Sequence, residues 1–231
     1  MDIQKEALEK RMRAYYDPEL NWEEFKSRGY GLSNDAARFE AKNTRMKIQS
    51  IEKFKPENLR RYLLRPYGIR WCYYSSVRPL WNEPRPSLWA QCWDNNAFFM
   101  TRPAAATSDE GVPFFFTQLL GDNDFQRGHS YYFPVRLRIH KVQEDLFSIG
   151  LTEIKANLSE TARNYLKKLG FGSPDSDGIP ENGLQLYELI WLHALAIGYS
   201  SAYLDENADG IRGDWPRIPL PNSKDTLIES A

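Results

Sequence analysis

Asp145 and the triplet Glu153-Ile154-Lys155 are the residues whose types and spacing come nearest to a reacting group. An acid on one strand followed by Glu-x-Lys on the next is an arrangement by which nucleases hold a divalent ion and activate water. The competing reading is a solvent-facing strand, because the gap between Asp145 and Glu153 is short and Glu-x-Lys is a common triplet. His129, His140 and His193 have no metal-like spacing. His193 lies in an apolar run and reads as a hydrogen-bonded core residue, whereas His129, after Arg127-Gly128 in a polar loop, reads as solvated. No P-loop, His-Glu-x-x-His, Cys-x-x-Cys or Gly-x-Ser-x-Gly motif occurs. "LGFGSPDSDG" superficially resembles a nucleotide loop, but it follows an expected helix, whereas a dinucleotide fingerprint follows a strand and opens a helix. The expectation is a chain with no catalytic, cofactor or metal site of its own.

The other chemistry-bearing feature is a basic, aromatic stretch. From Tyr62 to Trp89 the chain carries Arg65, Arg70, Arg78 and Arg85 among Trp71, Trp81 and Trp89 and four prolines. A guanidinium fork can hold a phosphate or take guanine O6 and N7 together, and a tryptophan or tyrosine face can brace the fork by stacking. The competing reading is packing, with Trp71, Tyr73, Trp81 and Trp89 in the interior and arginines snorkelling at their edges.

Those residues need elements to position them. The 231 residues (26.9 kDa) suffice for one large domain or two small ones, and a 14% aromatic content is high. The formal net charge of −1 gives no reason by itself to expect nucleic-acid binding, but the charge is unevenly spread. Lys55 to Arg102 holds eight basic residues against three acids, and Gly150 to the end holds seven against twelve.

Ala7, Leu8, Met12 and Tyr15 predict an amphipathic helix over Ile3–Tyr16, stopped by Asp17-Pro18. A second helix is expected after Asn21 and a third over Ser33–Lys47, anchored by Ala37, Phe39 and Met46. Strands are expected from Asn58 to about Leu151, in "RWCYYSS", "AFFMTR", "VPFFFTQLL", "SYYFPVRLRIHKV" and "LFSIGL", with "GDNDFQRG" a loop between two of them. Beyond that point the period becomes helical. Ser159 is placed to cap one helix and Gly170 to end it, and "GLQLYELIWLHALAIGY" reads as a buried helix ended by Gly198. A short helix near Gly210, an extended "DWPRIPLP" and a last helix from Asp225 follow. That last helix reads as cut off as it begins, which leads to the expectation of a fragment.

Two cysteines cannot frame a domain of this size, and the first residues are too charged for a signal peptide. A cytoplasmic protein without a membrane span is expected.

Read as words, several segments resemble one family. "RRYLLRPYGIRWCYY" resembles the Tyr-x-x-Arg-Pro-Phe-Asp-x-Arg-x-x-Tyr-Tyr signature of the C-terminal specificity region of type ISP single-polypeptide restriction-modification enzymes and related adenine-specific DNA methyltransferases. "NLSETARNYL" and "IWLHALAIGYSSAYLDENADGIRGDWPRIPLP" look like tail blocks of the same proteins, and "LEKRMRAYYDPELNWEEF" is similar to the segment joining their methyltransferase domain to the recognition region. Gly68 stands where that signature has Asp, so no role of the carboxylate carries over. The family's Asn/Asp-Pro-Pro-Tyr/Phe tetrad, which holds a flipped adenine, has no counterpart, since the chain contains no Pro-Pro.

The resemblance implies a target-recognition domain without its catalytic domain. The expected fold is α+β, with a helical linker at 1–57, a β-rich recognition core at 58–151 and a helical part at 152–231. The expected partner is double-stranded DNA, with a methyltransferase domain in cis or trans holding S-adenosylmethionine. Arg70, Arg78, Arg85 and Arg102 are the expected DNA contacts, and Asn95 and Asn96 the expected base readers, because an amide can bond adenine N6 and N7 together. Arg65 either pins its turn or touches DNA. The alternatives are a magnesium-dependent nuclease built on Asp145, Glu153 and Lys155, and a protein-interaction module that buries the aromatic surface.

Overall fold

Leu8, Met12 and Tyr15 do line up on one face: α1 (Lys5–Tyr16) buries them almost completely and stops at Asp17-Pro18. The computed structural model describes residues 1–66, 68–104, 111–127, 129–140, 152–176 and 183–231. The chain divides into two units, Met1–Pro86 and Ser87–Ala231, each a mixture of short helices and antiparallel strands, the α+β class expected. The stretch at 58–151 is therefore shared: its first hairpin and the residues up to Pro86 lie in the N-terminal unit, and those from Ser87 in the C-terminal unit.

In the N-terminal unit, Asn21 accepts the Glu24 N–H (3.0 Å) and so opens α2 (Trp22–Ser27). The third helix is displaced from its expected place. α3 runs Ala41–Ile51, and residues 36–39 form a tight turn in which Ala36 and Phe39 exchange both backbone hydrogen bonds. Ala37 adopts a left-handed φ of 47° at the tip, and Met46 is 53% exposed. The buried face is Ala41, Thr44, Arg45 and Ile48. The polar-looking Arg45 is the anchor because its guanidinium donates to the carbonyls of Tyr15 (2.9 Å), Asp17 (2.8 Å), Leu20 (2.8 Å) and Ala14 (3.3 Å). These include carbonyls that the end of α1 leaves without a helical partner. The hairpin β1 (Leu59–Arg65) and β2 (Gly68–Tyr73) adds Leu59 and Tyr73 to a core with Leu8, Tyr15, Tyr16, Phe25 and Ile48.

In the C-terminal unit, after α4 (Pro86–Trp89), β3 (Phe98–Thr101) runs between β4 (Phe115–Thr117) and β5 (Tyr131–Pro134), and all four of its residues are buried. A second hairpin pairs β6 (Arg136–His140) with β7 (Thr152–Ala156). The expected strand "LFSIGL" and Asp145 lie outside the described residues.

Ser159 caps α5 (Glu160–Lys168) by accepting the Ala162 N–H (3.2 Å). At the other end Gly170 takes a φ of 84°, with Phe171 N–H on the Leu166 carbonyl and Gly170 N–H on that of Lys167. That pair of bonds, with Phe171 packed on Leu166, is a complete Schellman cap.

The helix expected to be buried begins later, as α6 (Leu189–Gly198), and only Leu189, His193 and Gly198 of it are buried. Its closing glycine answers to packing, since a Cβ there would lie 2.1 Å from the Phe114 ring. Short helices α7 (Ser201–Glu206) and α8 (Ala208–Gly213) precede the non-helical 214–221. α9 (Lys224–Ser230) buries Leu227 completely beside Leu166 and Leu189. Among the described residues no helix is long and apolar enough to cross a membrane.

Candidate functional site

The basic aromatic stretch resolves into two kinds of residue. Trp81 and Trp89 follow the packing reading. Trp89 is buried, and Trp81 stands edge-on to Tyr62 and Tyr74 while its indole N–H donates to the Tyr73 carbonyl (2.7 Å). The Cys72 thiol, fully buried in the hairpin, is pushed up to about 12 by burial and is no nucleophile.

The arginines lie outside this packing. Arg61 and Trp71 are direct cross-strand partners, and the Trp71 ring carries the Arg61 guanidinium at 5.3 Å and the Lys5 ammonium at 5.1 Å. Arg70 is paired across the strands with Tyr62 and, among the described residues, donates only to the carbonyl of its neighbour Ile69 (3.0 Å). Arg65 also donates to the carbonyl of its neighbour, Leu64 (3.0 Å). Arg78 is exposed beside a cis peptide to Pro79, and its carbonyl accepts from Lys47 Nζ (2.9 Å). Pro79 and Asn82 line a cleft of about 440 Å³ with the turn at 36–39, whose tip carries exposed Arg38. Arg85, half-buried at a left-handed φ of 45°, donates to the Tyr62 hydroxyl (3.2 Å).

The C-terminal unit holds a second concentration of cations and rings. Strand β6 pairs with β7 along one edge, and two side-chain amides bond its other edge. Gln91 donates to the Arg138 carbonyl (3.2 Å) and accepts its N–H (2.7 Å). Asn96 does the same for Arg136 (3.1 Å each way) and also donates to the Gln91 carbonyl (2.9 Å). The two amides stand in for a missing strand and fasten residues 91–96 to β6.

The fastened segment carries the turn Trp93-Asp94-Asn95-Asn96, closed by the Asn96 N–H on the Trp93 carbonyl (3.1 Å). Asp94 and Asn95 are exposed, and Asn95 has a left-handed φ of 66°, a conformation asparagine tolerates. Arg136 donates to the Asn95 carbonyl and lies 4.7 Å from both the Trp93 and Tyr187 rings, while Arg138 lies 4.8 Å from Trp93. Trp93, Asp94, Asn95, Arg136, Gln185 and Tyr187 line a cleft of about 320 Å³.

Two of the expected DNA-contacting residues are therefore interior. Asn96 is 3% exposed with its amide spent on backbone groups, and Arg102, also 3% exposed, donates to the Gly111 carbonyl (3.4 Å). Neither presents its side chain at a surface, so both are corrected to scaffold. Arg70, Arg78, Arg85 and Asn95 remain accessible. His193 is the core histidine expected, with Nε2 against the Pro219 carbonyl (2.8 Å), so that this nitrogen carries a proton, and Nδ1 against the Ser230 hydroxyl (2.7 Å). His129 is exposed, as expected of a loop histidine.

Lys155 is ion-paired with Glu153 (3.2 Å) two residues along β7, and among the described residues no three His, Cys, Asp or Glu side chains cluster as metal ligands. Sequence reasoning missed Arg136, Arg138 and Tyr187. The alternation Arg-Leu-Arg was the available signal, placing both guanidinia on one face of a strand.

Comparison with known proteins gives one family. The model described as "Type ISP C-terminal specificity domain" matches residues 1–229. No curated protein matches. Among solved structures, the chain is similar to the ATP-dependent Type ISP restriction-modification enzyme LlaBIII bound to DNA (TM-score 0.54, 14% identity, covering 95% of this chain and 13% of that one). It is also similar to DrdV in a DNA complex (0.60, 16%, 99% and 20%) and to a nuclease-deletion mutant of the Type ISP enzyme LlaGI in complex with a DNA substrate mimic (0.53, 16%, 97% and 18%). The chain spans a fifth or less of the length of these proteins, and at such identities the likeness is one of fold.

Proposed function

The chain belongs to the Type ISP C-terminal specificity domain family, and from that premise we propose that it recognises a specific sequence of duplex DNA on behalf of a larger restriction-modification polypeptide. One observation within the molecule carries this reading. Arg61, Arg70 and Arg78 have no carboxylate partner among the described residues, although the chain as a whole is neutral. Cations left uncompensated in a neutral chain are available to phosphates. The turn-borne polar groups at Asp94 and Asn95 supply candidates for base contact, so positioning and reading fall to different side chains.

In this proposal adenine methylation belongs to a separate domain, in cis or trans, that also holds S-adenosylmethionine. The residues here do not fit that cofactor. Its one glycine-rich stretch follows α5 and its cap instead of opening a helix from a strand, and the chain has no Pro-Pro to hold a flipped adenine beside the cofactor. Such an assembly works in the cytoplasm.

Salt-titrated duplex binding by the 231-residue chain tests the reading. Wild type should bind with an affinity that falls steeply as salt rises. Arg78→Ala should weaken every duplex alike and make the slope of log K against log salt shallower by about 0.9, one phosphate contact. Binding that is insensitive to salt, or no binding either alone or fused to a methyltransferase domain, overturns it.

A further inference from the structure

The cleft beside Trp93 has a chemical pattern that the general DNA-binding reading leaves unused. Its wall is rigid: Gln91 and Asn96 fasten the 91–96 segment to β6, and Arg136 is braced between two rings. Its mouth is polar. The side chains of Asp94, Asn95 and Gln185 make no hydrogen bond among the described residues. At the wall, Arg136 Nε and Trp93 Nε1 are buried donors without an acceptor among the described residues. Other buried side-chain atoms of the chain share that state, but these two donors lie at the wall of one cleft, where a further group could complete them.

The groups at the mouth are thus the N–H donors of the Asn95 and Gln185 amides, each beside its own carbonyl acceptor, and one carboxylate, Asp94, that only accepts, while the two wall nitrogens lie beneath them. In the major groove guanine shows two acceptors, cytosine one donor and thymine one acceptor with a methyl, whereas adenine shows an acceptor, N7, next to a donor, N6. Adenine alone among the four has the complementary donor-acceptor edge.

We infer that this cleft reads an adenine in the major groove, with Asn95 or Gln185 donating to N7 and Asp94 accepting from N6–H, and with Arg136 as a positioning residue that holds the turn. This rests on the proposed duplex-DNA recognition and adds to it the base and the side chains that select it. The adenine meant here is a base read within the duplex, through its groove edge.

The test is a selection from a randomised duplex library by the 231-residue chain, followed by binding to the selected duplex with 7-deazaadenine, which lacks the N7 acceptor, at each selected adenine in turn. Asn95→Asp keeps a residue tolerant of the left-handed turn while removing its N–H donors, and Gln185→Glu does the same at the second amide. Wild type should select adenine at one position at least and lose about tenfold in affinity on deaza substitution there. The double variant should show about tenfold less preference for adenine at that position alone, with no further loss on deaza substitution. Asp94→Asn should weaken discrimination at the same position and no other.

Selective binding in which the variants leave every base preference unchanged overturns the inference and leaves the duplex-recognition reading standing. Absence of any salt-dependent duplex binding by wild type, both alone and fused to a methyltransferase domain, overturns both. A variant that loses its cooperative melting transition is replaced by Gln185→Ala, for which the same outcomes apply.

Discussion

Arginines in the hairpin of the N-terminal unit and arginines in the helical part of the C-terminal unit are put to opposite uses. Arg163, Arg212 and Arg217 each meet an aspartate, at Asp175, Asp209 and Asp214. Among the described residues, Arg61 lies over a tryptophan ring, Arg70 reaches only a neighbouring carbonyl, and Arg78, just beyond the hairpin, has no side-chain partner. A formal charge of −1 hides this difference. What counts for an anionic ligand is which cations the fold has already neutralised, and in this chain those lie mainly where the sequence is richest in acids.

The largest test of that division falls on an arginine that belongs to neither group. Arg45 is 5% exposed, and its guanidinium serves four backbone carbonyls at and beyond the end of α1. Arg45→Met keeps the apolar stem and leaves those acceptors unsatisfied. A destabilisation of about 3 kcal/mol is expected in urea unfolding. The salt slope of DNA binding by the folded protein should be unchanged. A shallower slope would mean that Arg45 reaches a phosphate, and the line between scaffold and contact would have to be redrawn.

Arg45 also shows what the sequence could not disclose. Periodicity located α1, and the cap at Ser159 and the glycine at 170 were legible because each acts within three or four residues of itself. α3 was misplaced because its key burial depends on a polar residue whose partners lie 25 to 31 positions away. Asn96 was read as a base contact for the same reason: its Arg136 partner is 40 residues distant, and nothing local tells a strand-mimicking amide from a free one. The cleft joins Trp93, Arg136 and Tyr187, three segments with no common motif. The hairpin signature, by contrast, was contiguous, and it was enough to point to the family.

A middle-sized effect is expected at the partly buried pair. Arg163 grips Asp175 with two nitrogens (2.6 and 3.1 Å) and donates to the carbonyls of Ala156 (2.7 Å) and Leu158 (3.1 Å), tying the end of β7 to α5. The hydrogen bond from Arg163, aided by the Ala156 N–H and opposed by burial, holds the Asp175 carboxyl below its ordinary value. A depressed carboxyl contributes stability that is fully present above its unfolded value, about 3.9, and is lost as pH falls through the lower folded one. Arg163→Met should therefore cost about 2 kcal/mol at neutral pH. It should cost progressively less as the solution is acidified below about pH 4. Equal destabilisation at both ends of that range would show that the carbonyl contacts alone carry the effect.

The smallest effect separates pairing from position. Arg217 and Asp214 meet at 3.2 Å, with side chains 89% and 59% exposed, so the pair is screened by water and salt and adds no resolvable stability. Asp214→Asn would free a guanidinium while leaving the fold and the melting temperature as they are. If an unneutralised arginine anywhere were enough, this variant should steepen the salt dependence of duplex binding by about 0.9, the increment for one phosphate contact. No change in slope is the expected result, because among the described residues Arg217 has neither a ring to brace it nor a paired strand beneath it. Arg61 has both, standing over Trp71 on a hairpin that fixes its register. A guanidinium held in place before the ligand arrives surrenders less side-chain freedom on binding than one on an exposed, irregular segment. A steeper slope for Asp214→Asn would reverse that ranking and make charge availability, without preorganisation, the quantity that selects the contacts.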